Sequence, residues 1–212
     1  MYVTLVTHEN RSDFEADLKL MFRQRYAIFV QQMDWTLPMA DHENEIEQDQ
    51  FDTEDAVYLL LKNDEDRLIG SLRFIPTVKP HLFSEIFDYM IDGDVPRSED
   101  TWECTRFYVM THRGVSSGLL GRGGAVLGAA MVEAALIYGV KEITTLANLN
   151  TLPMILNSGA IITPIGIPQE VGDGLYSAIS IQATVLGLRN YCARRRILGS
   201  VLRIDHDERI AV

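Results

Sequence analysis

Cysteine, histidine, proline and long apolar runs are all scarce in this 212-residue chain, which has 2 Cys, 5 His and 7 Pro. Two cysteines, Cys104 and Cys192, make no disulfide framework and fit a reducing compartment. The histidines show no metal-ligand spacing, so no metal site is expected. The least polar stretch, about residues 115–140, is broken by glycines, Arg122 and Glu133, which argues against a membrane span. The first ten residues have neither a basic nor an apolar targeting region, and a cytoplasmic protein is expected. Basic charge is short as well: 19 Lys and Arg against 30 Asp and Glu leave a net charge of −11. The deficit lies in residues 1–100, with 9 basic and 22 acidic side chains (−13), whereas 101–212 carry 10 and 8 (+2). That balance argues against a nucleic-acid partner, whose binding needs phosphate neutralisation. The arginines clustered near the end, Arg189, Arg194, Arg195 and Arg196, still suit a phosphate or an acidic protein.

What is present is an ordinary globular composition, 47% hydrophobic. The length fits one domain over 1–212. A strand is expected over residues 2–7. Ser12 then reads as the cap of a helix running to about Gln32, with Glu15 completing a capping box. Leu18, Met21, Phe22, Arg25, Tyr26 and Phe29 recur at helical spacing and define one face. A long loop over 33–55 precedes a hairpin of strands at 56–61 and 67–75. Prolines punctuate an excursion with a short helix near 82–90. A central strand over 101–110 leads to a glycine-rich loop, 114–124, and a small-residue helix, 125–138. Strands near 141–146, 161–164 and 175–181 surround a short helix ending at Asn157, and a last helix covers 181–196. Mixed strands and helices around one sheet make the fold class α+β.

The chemistry concentrates between Asp41 and Asp55, which hold eight carboxylates, one His and no Lys or Arg. A solvated charge run is the plainest reading. A calcium loop fits badly, because Gln48 stands where the turn needs Gly. The third reading pairs these carboxylates with Arg73 and Arg106 around a cationic ligand, for which Trp35 and Phe29 supply an aromatic face. Glu103 and Arg106 are an odd number of residues apart, so a regular strand would put them on opposite faces. Either they serve different layers or a bulge at Cys104–Thr105 brings them together. Cys104 has no His nearby to make it a nucleophile. The loop at 114–124 fits neither a P-loop nor a Rossmann pattern. A strand, a glycine loop and a helix instead resemble the pantetheine-pyrophosphate turn of acyltransferases.

Taken in order, Arg25-x-x-x-Phe29, Trp35, Glu47-Gln-Asp49-Gln-Phe51-Asp52, Arg73-Phe-Ile-Pro-Thr77 and Trp102-Glu103-Cys-Thr-Arg106-Phe107 resemble the acyl-homoserine-lactone synthase family of quorum-sensing autoinducer synthases. The resemblance covers about residues 20–110. It implies a fold similar to N-acetyltransferases (GNAT-like), a mixed splayed sheet flanked by helices. It also implies a reaction with no permanently bound cofactor. The amine of S-adenosylmethionine attacks an acyl thioester carried by acyl carrier protein or coenzyme A. The carboxylate of the same molecule then closes the lactone and expels methylthioadenosine.

On that resemblance Arg25, Phe29 and Trp35 form the S-adenosylmethionine site, and Glu47, Asp49 and Asp52 brace it through Arg73 and Arg106. Glu103 is expected as the proton acceptor, directly or through water, since a protonated amine is no nucleophile. Backbone N–H groups of the Arg106–Phe107–Tyr108 strand would serve the oxyanion. Met110, Thr144, Leu146 and Met154 are candidate walls of an acyl tunnel. A Thr near Thr144 and Thr145 is associated in the family with 3-oxo chains, which does not choose between the two. The segment 150–158 lacks the arginines that suit docking of an acidic carrier, and Thr105 stands where Ser is common. An ordinary N-acyltransferase using acyl-CoA on another amine, and a non-enzymatic module whose acidic loop meets a basic partner, are the competing readings.

Overall fold

The computed structural model describes residues 1–111, 114–116, 121–172 and 174–204. These build one sheet in the order β10-β1-β2-β3-β4-β6-β9-β7, with β5 on β4 and β8 on β9. The strands are β1 (Tyr2–Val6), β2 (Val57–Lys62), β3 (Leu68–Pro76), β4 (Thr101–Thr111), β5 (Gly114–Ser116), β6 (Glu142–Asn148), β7 (Ile161–Pro164), β8 (Gln169–Val171), β9 (Gly174–Gln182) and β10 (Leu202–Arg203). The helices are α1 (Glu15–Arg25), α2 (Leu82–Glu85), α3 (Arg122–Ile137), α4 (Leu152–Leu156) and α5 (Val185–Arg195).

Alternation along the strands sorts side chains between two layers. Leu59, Leu61, Leu72, Phe74, Trp102, Cys104 and Val109 pack under α3. Tyr58, Leu60 and Tyr108 pack with Leu18, Met21, Ile28 and Phe29 on the opposite face. The small-residue stretch of α3, buried from Gly123 to Val132, lets that helix lie close on the sheet. At Gly128 an added Cβ would come 2.4 Å from the Tyr191 hydroxyl, so α5 packs close against it as well.

Two irregularities of β4 shape the site. Its parallel pairing with β6 extends only over Thr101↔Glu142, Trp102↔Ile143 and Glu103↔Thr144. Past that point β4 stays with β3 and β5 while β6 stays with β9, so the sheet splays. The Thr145 hydroxyl donates to the Cys104 carbonyl at 2.8 Å where the strands part. The second irregularity is a bulge. Arg73 faces Thr105 and Ser71 faces Tyr108, so Leu72 alone opposes both Arg106 and Phe107. Arg106 takes φ +53°, a left-handed conformation uncommon for a non-glycine residue.

Three expectations need correction. Ser12 is not a helix cap: it lies inside a 3-10 turn, Arg11–Phe14, and its hydroxyl donates to Asp13. Asn10 closes the preceding bend instead, accepting from Thr7 N and donating to the Leu5 carbonyl. The helix is also not regular to Gln32. From Tyr26 to Gln32 it widens into a π-helix, a form concentrated at functional sites. Finally, of the two alternatives for Glu103 and Arg106 the bulge holds, but it falls at Arg106–Phe107 and not at Cys104–Thr105. The short helix near 82–90 is divided into α2 and a 3-10 turn at Asp88–Met90. Part of the glycine-rich loop, 117–120, lies outside the described residues.

Candidate active site

The bulge decides which groups meet. Before it, Glu103 and Thr105 share the face away from α3. After it, the alternation is reset and Phe107 and Val109 pack on the α3 side. Thr105 and Arg106 therefore both reach the α1 side, where Arg73 donates through Nε to Thr105 Oγ1 at 3.1 Å. One extra residue thus brings Glu103 and Arg106 to the same layer.

On that layer six charges close into a ring. Arg25 grips Asp52 through both terminal nitrogens, at 2.8 and 2.9 Å, and Glu47 through Nε at 2.5 Å. Arg73 grips Asp49 at 2.5 and 3.0 Å and reaches Asp52 at 2.8 Å. Arg106 completes the circuit, with Nη2 at 2.8 Å from both Glu47 and Asp49. Three arginines alternate with three carboxylates, so the ring is neutral. All six side chains are 11% exposed or less, with Arg106 and Asp49 forming the open edge. Such paired forks satisfy charges whose isolated burial would be prohibitive.

Electrostatics agree with this pairing. Burial alone would raise the Asp52 carboxyl, but Arg25 and Arg73 outweigh it and hold the group well below its ordinary range. Burial likewise acts against ionised Glu47, and Arg106 and Arg25 reverse the outcome. The Arg25 guanidinium is held charged against burial by Asp52 and Glu47.

The loop carrying the carboxylates is fixed to its surroundings. Asp41 and Ile46 form an antiparallel bridge, and Glu47 N donates to the Phe22 carbonyl at 3.1 Å. Asp49 and Asp52 bracket a turn in which Asp52 accepts from Asp49 N and Asp49 accepts from Phe51 N. Phe51 is buried with the Arg73 guanidinium over its ring. The π-helical turn sets the aromatic wall. Trp35 N donates to the Phe29 carbonyl, and the two rings stack with centroids 5.0 Å apart. The Arg106 guanidinium lies 5.5 Å from the Phe29 centroid, joining the wall to the ring of charges.

Glu103 is fully buried at the splay. Its oxygens accept from Leu82 N at 2.7 Å and Phe83 N at 2.8 Å, the first turn of α2. Burial pushes its carboxyl up to about 7, against the pull of those two N–H groups. Neither partner was visible in the sequence, because α2 comes from an irregular excursion. Tyr58 was also missed: its hydroxyl donates to Asp52 at 2.9 Å. Its alternation with Leu59 and Leu60 marks only its face. Cys104 is inert as a nucleophile, since burial pushes its thiol up to about 12.

The four candidate tunnel residues do not form one group. Thr144 lies beside Glu103 in register, buried, with no hydrogen-bond partner for its hydroxyl among the described residues. Leu146 packs with Phe83, Met90 and Ala178, whereas Met110 packs against the Phe29–Tyr108 cluster. Met154 is half-buried in α4. Thr145 holds the splay itself.

A mixed sheet that splays between β4 and β6, with α3 following the splayed strand, is the N-acetyltransferase-like fold. The autoinducer synthase family matches residues 9–184, and the chain belongs to that family. It is 33% identical over 178 residues to the isovaleryl-homoserine lactone synthase of Bradyrhizobium diazoefficiens, covering 81% of this chain and 75% of that protein. It is 41% identical over 97 residues to an acyl-homoserine-lactone synthase of Pseudomonas fluorescens, 45% of this chain. That match spans about half the length of the relative, 50%. In three dimensions the chain resembles BjaI, a CoA-dependent acyl-homoserine lactone synthase solved with SAM and isopentyl-CoA. The TM-score is 0.85 at 27% identity, over 95% of this chain and 92% of that one.

Proposed function

We propose that this protein is an acyl-homoserine-lactone synthase that uses S-adenosylmethionine as acyl acceptor and acyl-CoA as donor. The closed ring of Arg25, Asp52, Arg73, Asp49, Arg106 and Glu47 beside the stacked Phe29 and Trp35 carries this reading. An acetyltransferase acting on an arbitrary amine has no need of it. The aromatic wall offers an electron-rich face to a sulfonium or ammonium group. The ring holds Arg106 at its open edge, where the guanidinium suits the carboxylate of the acceptor. Glu103, directly or through water, takes the proton that the amine must lose before it attacks the thioester carbonyl. Phe107 sits at the bulge, outside the regular pairing with β3, and in this reading its backbone N–H serves the developing oxyanion. Collapse of the adduct breaks the C–S bond and releases CoA, whose sulfur takes up the proton, and the acceptor carboxylate then displaces methylthioadenosine from the γ-carbon and closes the lactone.

CoA is favoured over a carrier protein for two reasons. BjaI is CoA-dependent, and α4, with the sequence Leu-Pro-Met-Ile-Leu, carries no basic residue with which to meet an acidic carrier. In this reading 1–212 acts as one catalytic domain working in the cytoplasm. No helix among the described residues is long and apolar enough to cross a membrane. Mass spectrometry of a reaction with S-adenosylmethionine and pools of acyl-CoA or acyl carrier protein tests the assignment. Acyl-homoserine lactone appearing with methylthioadenosine is the expected result. Neither product from either pool, with folded protein that S-adenosylmethionine does not stabilise, would overturn it.

A further inference from the structure

Five arginines lie on α3, on α5 or at the C-cap of α5, away from the ring: Arg122, Arg189, Arg194, Arg195 and Arg196. None pairs with a carboxylate among the described residues, in a chain that is acidic overall. Two of them have structural work. Arg122, the first residue of α3, donates to the carbonyls of Arg195 and Arg196 at 3.2 and 3.1 Å. Arg194 donates to the Asn157 carbonyl at 2.9 Å. The first of these contacts docks the end of α5 on the start of α3. That start in turn lies on β4, since a Cβ at Gly123 would come 2.8 Å from Val109 Cγ1, three residues beyond Arg106. The end of α5 therefore sits at the same margin of the sheet as the bulge.

Here α5 presents two further guanidinium groups. Arg195 is half-buried with its guanidinium 5.8 Å from the Tyr191 ring centroid. Arg196 is exposed and caps the helix at φ +56°, a conformation for which glycine is the favoured residue. Glu133, a nearby carboxylate on α3, is occupied by Ser200 Oγ and the N–H groups of Val201 and Leu202. Two planar donors with no counter-charge among the described residues, at the margin where a donor's tail would leave the splay, suit a phosphate monoester.

We propose that Arg195 and Arg196 bind the 3′-phosphate of the acyl-CoA donor. This assignment rests on the acyl-CoA reading above. The site is separate from the acceptor ring and gives the enzyme a means of selecting acyl-CoA over other thioesters.

Steady-state kinetics with acyl-CoA and acyl-3′-dephospho-CoA of the same chain test it, on wild type, Arg195→Gln and Arg196→Gly. Wild type should show a kcat/KM for acyl-CoA at least about tenfold above that for the dephospho donor, as expected for a charge-assisted contact. In both variants that ratio should collapse toward one, through KM rather than kcat, and the salt dependence of KM should weaken. Arg196→Gly is chosen because its backbone conformation suits glycine, so a melting temperature at or above wild type is expected. Equal treatment of the two donors by wild type would overturn the proposal. So would equal losses on both donors in the variants, which would mark the arginines as structural. If wild type makes lactone from acyl carrier protein and not from acyl-CoA, the donor reading itself fails and takes this site with it.

Discussion

Replacing Glu103 with Gln separates a base from a brace. Its carboxyl is raised by burial from an ordinary 4.5 to about 7. An unfolded chain loses this proton near the ordinary value, and the folded chain keeps it until about 7. Between those values the folded state binds the extra proton, so stability falls as pH rises through the window and is level above it. At 1.36 kcal/mol per pH unit, the two values give a loss of roughly 3 kcal/mol. Gln cannot ionise, so the variant loses this slope. It also turns one NH2 group toward Leu82 N or Phe83 N, which leaves a buried donor without an acceptor at a cost of about 1–3 kcal/mol.

Activity should follow the opposite sense, because only ionised Glu103 accepts a proton. Wild-type kcat/KM should climb to a plateau through about pH 7, the value set by burial. Glu103→Gln should lower the plateau by about 10²–10⁴-fold, the usual contribution of a general base. It should also remove that limb. Any limb from the acceptor's own amine, near 7.7–8.0 for a free α-amine, should persist. The measurements are lactone formation and thermal unfolding from pH 5 to 9 on both proteins. A variant retaining more than a tenth of the activity and the limb at 7 would refute the argument and leave Glu103 as the anchor of α2.

Asp52→Asn leaves three arginines facing two carboxylates in a buried ring, which should cost about 3–5 kcal/mol. For a chain of this size that lowers the melting temperature by roughly 6–20 °C; calorimetry at pH 7 checks it. Because the Asp52 carboxyl is held below its ordinary value, its stabilisation is full above that value and disappears as pH falls through the folded value, so the gap to the variant should narrow in acid. Trp35→Ala removes one half of the stack with Phe29, and KM for S-adenosylmethionine should rise about tenfold for a cation–π contact of roughly 1–2 kcal/mol. Trp35 is half-buried in a loop, so the melting temperature should fall by less than in Asp52→Asn. Arg106→Lys keeps the charge of the ring but loses the fork that joins Glu47 to Asp49, and isothermal titration should show weakened S-adenosylmethionine binding in a folded protein.

The charged residues that come together were more legible in the sequence than how they connect. Arg25, Glu47, Asp49, Asp52, Arg73 and Arg106 were recognisable because charges of both signs recur in a fixed order among aromatics. Their pairing was not, since any carboxylate of a flexible loop can be drawn toward any arginine. The longer strands and α3 followed from alternation and from the small-residue run, whereas β5, β8 and β10, of two or three residues each, left no such pattern, and element ends shifted by a few residues. A bulge was one of two ways to place Glu103 and Arg106, and its position two residues beyond Cys104–Thr105 was not legible, because nothing in Glu103-Cys-Thr-Arg-Phe107 forces a left-handed residue; the ion pairs made by Arg106 supply the reason after folding. The π-helix left no periodic signal, because its seven residues span fewer than two turns. The grip of α2 on Glu103 joins segments 21 residues apart through backbone atoms, which no residue pattern records.

The neutrality of the ring changes the role of the acidic loop. Glu47, Asp49 and Asp52 are already matched by Arg25, Arg73 and Arg106, so they are not free counter-ions for a sulfonium. What they do is hold one arginine in a costly place. Arg106 sits in a left-handed conformation at a bulge, against an aromatic ring, beside the opening of the sheet. Its Nε and Nη2 are occupied by Glu47 and Asp49, while Nη1 donates to none of the described residues. One edge of the guanidinium is therefore presented to the site and the other is locked, so the group cannot turn away when substrate is absent. Preorganisation of this kind puts the expense of orienting a charge into folding and removes it from the reaction. The same dependence means that loss of activity after a ring substitution cannot by itself assign a catalytic role: each carboxylate is held by an arginine, and Arg106 in turn by the bulge.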